Sequence, residues 1–187
     1  MVITIDKFQT TEDLLKLSGK GRYELLKGVI YKLSPAGEKH GIIAMNTGYI
    51  IGKYVREHRL GIVTAAETGY KLSSNPDTVR APDVAFKSNN TLSRGGISEG
   101  YSSVMPDLAI EVNSPADRPG QIIKKVKDWL EAGVKHVWII DPEDNTVTIY
   151  YDSLCFKILD IDDEIKEENL LPGFKCKVRE IFDIPEI

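Results

Sequence analysis

The sequence predicts a mixed α/β fold of the α+β kind: a central mixed sheet flanked by helices, with a hairpin near the N-terminus. Three observations predict it. Two stretches of helical character, 38–58 and 117–132, are separated by short apolar runs rich in β-branched and aromatic residues. Strand character at 107–112 and again at 136–140, on either side of the second helix, makes one strand–helix–strand unit that should cross over parallel and right-handed. Tyr23-Glu24-Leu25-Leu26 and Val29-Ile30-Tyr31-Lys32-Leu33 face each other across Lys27-Gly28, a tight hairpin.

Taken in order, Thr10 caps a short helix whose first turn carries Glu12 and Asp13, and which ends at Gly19–Gly21. In the hairpin, Glu24 faces opposite to Tyr23 and Leu25 and belongs on the exposed side. Ser34-Pro35-Ala36-Gly37 is a turn. The long helix follows, with Ile43, Ile50 and Tyr54 recurring on one face. Gly48 and Gly52 lower its intrinsic propensity, so packing must hold it, and the small residues let another element approach closely. Residues 61–65 and 69–72 are strands, 73–78 a polar turn, and 83–86 a strand. Residues 88–103 form a long loop rich in Ser, Asn and Gly, a type of segment more often functional or mobile than structural. After the strand at 107–112, Asp117 caps the next helix and Gly133 ends it. Residues 136–140 are a buried strand and 146–151 its hairpin partner. Beyond Asp152 the pattern weakens. Six acids among residues 160–168 mark a solvated segment before a last strand near 174–178.

Size and composition bound the function. With 187 residues, 42% hydrophobic and 28% charged, the chain reads as a single domain, 1–187, with a sizeable core. No apolar run reaches the roughly 18–20 residues a membrane span needs, and the first eight residues lack the basic-then-apolar pattern of a leader. Cys155 and Cys176 lack metal spacing. A cytoplasmic protein with free thiols and no membrane partner is the expectation. The net charge of −4 argues against a broadly basic nucleic-acid footprint. It does not exclude a nuclease, because carboxylates that bind a cation lower the charge themselves.

The chemistry centres on Arg80-Ala-Pro-Asp-Val-Ala-Phe86 and Pro106-Asp-Leu-Ala-Ile-Glu-Val-Asn-Ser-Pro115. Each places one carboxylate, Asp83 or Glu111, in an otherwise apolar strand. A buried carboxylate is costly without a partner, so two on neighbouring strands suggest a cation between them. A hard divalent ion binds through one or two carboxylates, several waters and a substrate phosphate. The competing reading is a pair of strand-end acids satisfied by backbone amides, and Pro106-Asp107 resembles Pro82-Asp83 closely enough to be only that. On the helix after Glu111, at about 100° per residue, Ile122, Ile123, Val126, Trp129 and Leu130 form an apolar arc. Lys124 points away from it, while Lys125 and Lys127 flank it. From there Lys125 can send its ammonium along the sheet surface to orient water or offset phosphate charge. Glu24 is a further candidate acid, and His40, at the start of the long helix, could touch a phosphate or relay a proton. His58 and His136 have no evident partners. No Cys/His spacing suggests zinc, Ser34, Ser114 and Ser153 lack a nucleophile-elbow context, and Gly95-Gly96 is not a phosphate loop.

In this order, Tyr23–Gly28, Ser34-Pro35 with His40, Arg80–Val84, Pro106–Leu108 with Glu111–Pro115, Lys125, and Ala132–Val134 leading into Val137–Pro142 resemble the Uma2 (DUF820) restriction-endonuclease family of the PD-(D/E)XK nuclease superfamily, over about residues 10–155. The resemblance implies a restriction-endonuclease-like core. It implies that Asp83 is the first acid of the motif, Glu111 the second, Glu24 the upstream acid and His40 the upstream histidine. The superfamily lysine normally follows the second acid by two residues. Asn113 stands there, and the family's lysine on the next helix corresponds to Lys125.

The expectation is therefore an endonuclease hydrolysing phosphodiester bonds of nucleic acid, DNA first, with Mg²⁺ or Mn²⁺ held by Asp83, Glu111 and the Val112 carbonyl. Lys125 would position or activate water, and Glu24 would support a second metal or the lysine. A homodimer is expected by analogy with nucleases that cut both strands. Two alternatives stand beside it: a nuclease fold without activity that binds nucleic acid or a protein partner, and a structural protein whose acids only cap loops.

Overall fold

The computed structural model describes residues 8–185, so the leader expectation for the first seven residues lies outside them. Helix α1 (Thr11–Leu15) is followed by the hairpin β1 (Arg22–Leu26) and β2 (Val29–Leu33), then by the long helix α2 (Glu38–Glu57). Strands β3 (Gly61–Ala65), β4 (Tyr70–Ser73), β5 (Thr78–Arg80) and β6 (Val84–Ser88) precede the short helix α3 (Asn89–Leu92) and β7 (Leu108–Val112). Helix α4 (Pro119–Glu131) leads to β8 (His136–Asp141), β9 (Thr146–Tyr150), β10 (Phe156–Leu159), β11 (Glu164–Lys166), β12 (Lys175–Lys177) and α5 (Val178–Ile181).

The central sheet runs β10-β9-β8-β7-β6-β3. Its pairs are antiparallel except β7 with β8, which are parallel as the strand–helix–strand pattern requires. Both of these strands are buried on both faces, as fits strands covered on both sides. Alternation sorts the faces. Val84, Phe86, Leu108, Ile110 and Val112 pack with Ile43, Ile51 and Val55 of α2 and with the C-terminal Leu171, Phe174 and Val178. Ala85, Ala109, Val137 and Ile139 pack with Val126 and Trp129 of α4 on the other face. Each fully buried Leu, Ile or Phe contributes about 1.5–3 kcal/mol of burial free energy. Glu111 shares the parity of Ala109, so β7 turns its one charged side chain toward α4.

A second sheet, β2-β1-β5-β4, carries the N-terminal hairpin. Lys27 (φ 50°) and Gly28 (φ 77°) both take the left-handed conformation, as a two-residue hairpin turn of matching twist demands. Thr10 caps α1 with Asp13 completing the capping box, but the helix stops at Leu15.

Elsewhere the structure corrects the sequence. The polar turn ends in a strand, β5, which joins the hairpin to β4. The long loop begins with α3, capped by the Ser88 hydroxyl, which accepts from the Thr91 amide. Asp117 does not cap α4: Arg118 is the cap, and the Asp117 carboxylate accepts from the Ser114 amide. Ile123 is 44% exposed despite its place on the wheel, because only part of that arc reaches the sheet. Beyond Asp152, β10 forms the sheet edge, and the acid-rich segment is anchored by buried Ile165 and Glu167. Glu167 Oε2 meets His136 Nδ1 at 2.7 Å, so that histidine does have a partner. The glycines of α2 do not serve close packing: an added Cβ would meet nothing within 4 Å at Gly52 and make only ordinary contact with Val84 at Gly48. Among the described residues no helix is long and apolar enough to cross a membrane.

Candidate active site

The site is built where β6 begins and β7 ends. The Asp83 amide donates to the Ile110 carbonyl at 3.0 Å, extending by one residue the ladder that pairs Val84 with Ile110. On that register Asp83 stands across from Glu111. Its Oδ2 accepts the Val112 amide at 2.9 Å. The first turn of α2 brings His40 to the same oxygen, with Nε2 at 3.3 Å. The Asp83 carboxylate raises the His40 pKa above its ordinary value; burial opposes the rise, and the Val112 carbonyl adds to it.

Glu111 is gripped from α4. Its Oε2 lies 3.2 Å from Lys125 Nζ, and its Oε1 accepts the Trp129 indole N–H at 2.8 Å. Lys125 and Trp129 sit four residues apart, one turn along the same helix face. The lysine therefore reaches the second acid from the next helix rather than from two residues down the strand. Burial pushes the Glu111 carboxyl well above the usual carboxylate range; the Lys125 ammonium pulls it back, while Asp83 and Glu24 push it further up. Lys125 in turn is held charged by Glu111 against burial, with Asp117 and Glu24 assisting.

Glu24 is not on the exposed side of its hairpin. Strand β1 pairs with β5, which carries Arg80, and Glu24 is buried at 8% exposure. Arg80 Nη1 donates to its Oε2 at 2.8 Å. The same guanidinium donates from Nε and Nη2 to Asp128 Oδ2 at 3.1 and 2.7 Å. Buried Arg80 therefore ties the hairpin sheet to α4, the helix that carries Lys125 and Trp129. Sequence reasoning missed this: it quoted Arg80 without a role, and it placed Trp129 on the apolar arc without asking where the indole N–H goes. A charged residue three positions before Asp83, at the head of the run 80–86, was the available signal.

The structure thus gathers all five sequence-predicted side chains and the Val112 backbone at one end of the β6–β7 ladder. His40 and Asp83 also line a groove of ≈ 970 Å³ between α2 and β3, whose walls include Met45, Tyr49, Lys53 and Arg56. The other Pro-Asp acid is elsewhere: Asp107 accepts the Ser88 amide at 2.7 Å and meets Lys135 Nζ at 2.6 Å. Among the described residues no three His, Cys, Asp or Glu side chains converge as a ready-made metal cage.

A family model described as "Uma2: Putative restriction endonuclease" matches residues 9–179. A solved structure, described as a putative nuclease belonging to DUF820 from Anabaena variabilis ATCC 29413, superposes with a TM-score of 0.78 over 92% of this chain and 97% of that one, at 21% identity. That likeness speaks for the fold. No curated protein matches.

Proposed function

From the premise that the chain belongs to the Uma2 family of restriction-endonuclease-like proteins, we propose that it is a divalent-metal-dependent endonuclease hydrolysing phosphodiester bonds of nucleic acid, DNA in the first instance. The observation that carries this reading is the setting of Glu111: a carboxyl buried beside two further acids, Asp83 and Glu24, with a lysine leaning onto it from the neighbouring helix. Asp83 and Glu24 add to the proton affinity that burial gives Glu111, and a cation would relieve that repulsion.

The donors suit a hard ion. Asp83, Glu111 and the Val112 carbonyl are all oxygens, and Mg²⁺ or Mn²⁺ takes its remaining ligands from water and substrate phosphate rather than from an all-protein cage. When bound, such an ion lowers the pKa of its water and offsets charge on the phosphoryl oxygens. The chain's own groups do the rest. Trp129 holds one Glu111 oxygen in place. Lys125 supplies an ammonium for a phosphate oxygen or for orienting water. His40 offers a second donor on the Asp83 side, and Glu24, fixed by Arg80, keeps the field around Lys125 negative.

A second reading has its own observation. Asp83 is already bonded to Val112 and His40, and Glu111 to Lys125 and Trp129. Groups satisfied in this way suit a nuclease fold that binds nucleic acid without cutting it. Melting with and without Mn²⁺ separates the two. A formed metal site stabilises by about 2.7 kcal/mol at a hundred times its Kd, and Asp83→Ala should remove both that stabilisation and cleavage. Cleavage that survives Asp83→Ala unchanged would refute the assignment, and an unmoved Tm together with no cleavage would favour the binding module.

A further inference from the structure

We infer that the groove between α2 and β3 seats a single-stranded stretch of nucleic acid, bases against its wall, and delivers the backbone to Asp83. The inference rests on the nuclease reading above and names its substrate class.

Four observations carry it. The groove adjoins the candidate active site, since His40 and Asp83 belong to both. From His40 to Arg56 the α2 wall runs about 24 Å at 1.5 Å per residue, room for at most about seven nucleotides at 3.4 Å or more each. The wall exposes an aromatic ring and a thioether: Tyr49 is 60% exposed and Met45 65%, one turn apart. Gly41 and Gly52 line the same groove, and an added Cβ at either would meet nothing within 4 Å, so the wall beside Tyr49 is bare. A flat ring beside an open floor is a platform on which any base can stack.

Charge selects a single strand over a duplex. Arg22, Lys53 and Arg56 line the groove, with Glu57 and Glu67 among them, and Arg22 Nε lies 3.2 Å from Glu67. Among the described residues Lys53 and Arg56 have no acid within 4.0 Å. Lys53 and Arg56, in a groove lined also by Glu57 and Glu67, offer little charge to the phosphate-dense surface of a duplex, which hides its bases. They can hold the backbone of a strand whose bases supply the remaining affinity. A protein strand pairing with the outer edge of β3 is the competing occupant, and a groove of mixed charge that reaches Asp83 suits it less.

The test is fluorescence anisotropy in EDTA, where binding is read without cleavage, using a labelled oligodeoxythymidine of about 12 nucleotides and a duplex of equal length. The single strand should bind tighter than the duplex. Tyr49→Ala should weaken it about 5-fold or more, while Tyr49→Phe should retain it. Gly52→Leu, a helix-compatible change that fills the groove, should weaken it too, with Tm confirming that the variant folds. Lys53→Ser should lower the slope of log affinity against log salt by about 0.7. A duplex that binds as well or better, or single-strand binding indifferent to both Tyr49→Ala and Gly52→Leu, overturns the inference. Groove-dependent single-strand binding by a protein that never cleaves would sink the nuclease reading and leave this one standing. Duplex cleavage at the wild-type rate by Tyr49→Ala would do the reverse.

Discussion

Two nearly identical segments approach the central sheet from opposite ends. Pro82-Asp83-Val84-Ala85 opens β6 and Pro106-Asp107-Leu108-Ala109 opens β7, and the two strands are antiparallel neighbours. Their backbones mirror each other: the Asp83 amide donates to Ile110 at 3.0 Å and the Asp107 amide to Phe86 at 2.8 Å. Their side chains meet different fates. Asp107 is closed off by the Ser88 amide and Lys135. Asp83 meets Val112 and His40 and stays on the wall of a groove, across from a second acid. A Pro-Asp at a strand start thus makes a structural cap or a candidate catalytic acid according to what the rest of the chain brings to that end. A carboxylate with enough donors is finished, whereas one that shares its space with other carboxylates has work left for a cation.

The sharpest way to break this contrast is through Glu24, an acid closed like Asp107 but placed beside Glu111. Arg80→Ala leaves Glu24 and Asp128 without their guanidinium in a buried setting. It should cost about 3–5 kcal/mol, seen as a fall in the urea midpoint. A loss under about 1 kcal/mol would mean that water reaches Glu24 and that its field on Lys125 is weak. Next in size is the direct swap. Asp107→Ala orphans the Ser88 amide and should cost about 1–3 kcal/mol of stability. Unlike Asp83→Ala, it should leave metal-induced stabilisation intact in the molecules that remain folded. Equal effects of the two variants on metal binding would erase the distinction.

The smallest expected effect is in acid. Burial works against an ionised Asp107, yet Lys135, the Ser88 amide and Thr91 hold its carboxyl below the ordinary value. A depressed folded pKa gives stability that is present above the unfolded value near 3.9 and is lost as pH falls through the folded one. As pH falls below about 4 the wild type should therefore lose more stability than Asp107→Asn, measured as the difference in urea midpoints. Parallel acid limbs for the two proteins would show that Asp107 is no better held in the fold than in the unfolded chain.

Much of this arrangement is legible along the chain. Asp83 and Glu111 stand out because a carboxylate inside an apolar strand has few cheap explanations, and period two sends Glu111 to the α4 face. Lys125 follows from the helix wheel, which carries it to the edge of the arc facing that same side of the sheet. Arg80 with Glu24 and Asp128 is not legible, since its partners lie 56 and 48 residues away. Nor is the bond from His136 to Glu167, which joins a buried strand to a segment that reads as solvated. The groove was hidden for a related reason. Gly48 and Gly52 read as packing glycines, because a sequence shows that a side chain is missing but not what lies in the space it leaves.

By itself, the sequence determined the strand–helix–strand core, the N-terminal hairpin and the choice of acids. Periodicity and turn chemistry are local, and the cost of burying charge restricts where a carboxylate can stand. Only the tertiary structure decided which Pro-Asp is capped and which is left beside a second acid, which guanidinium holds Glu24, and that residues of α2 and β3 together line a groove. Those outcomes depend on contacts between residues distant in sequence. Such contacts form only once the hydrophobic faces have packed, and the sign of a charge along the chain does not say which opposite charge will reach it.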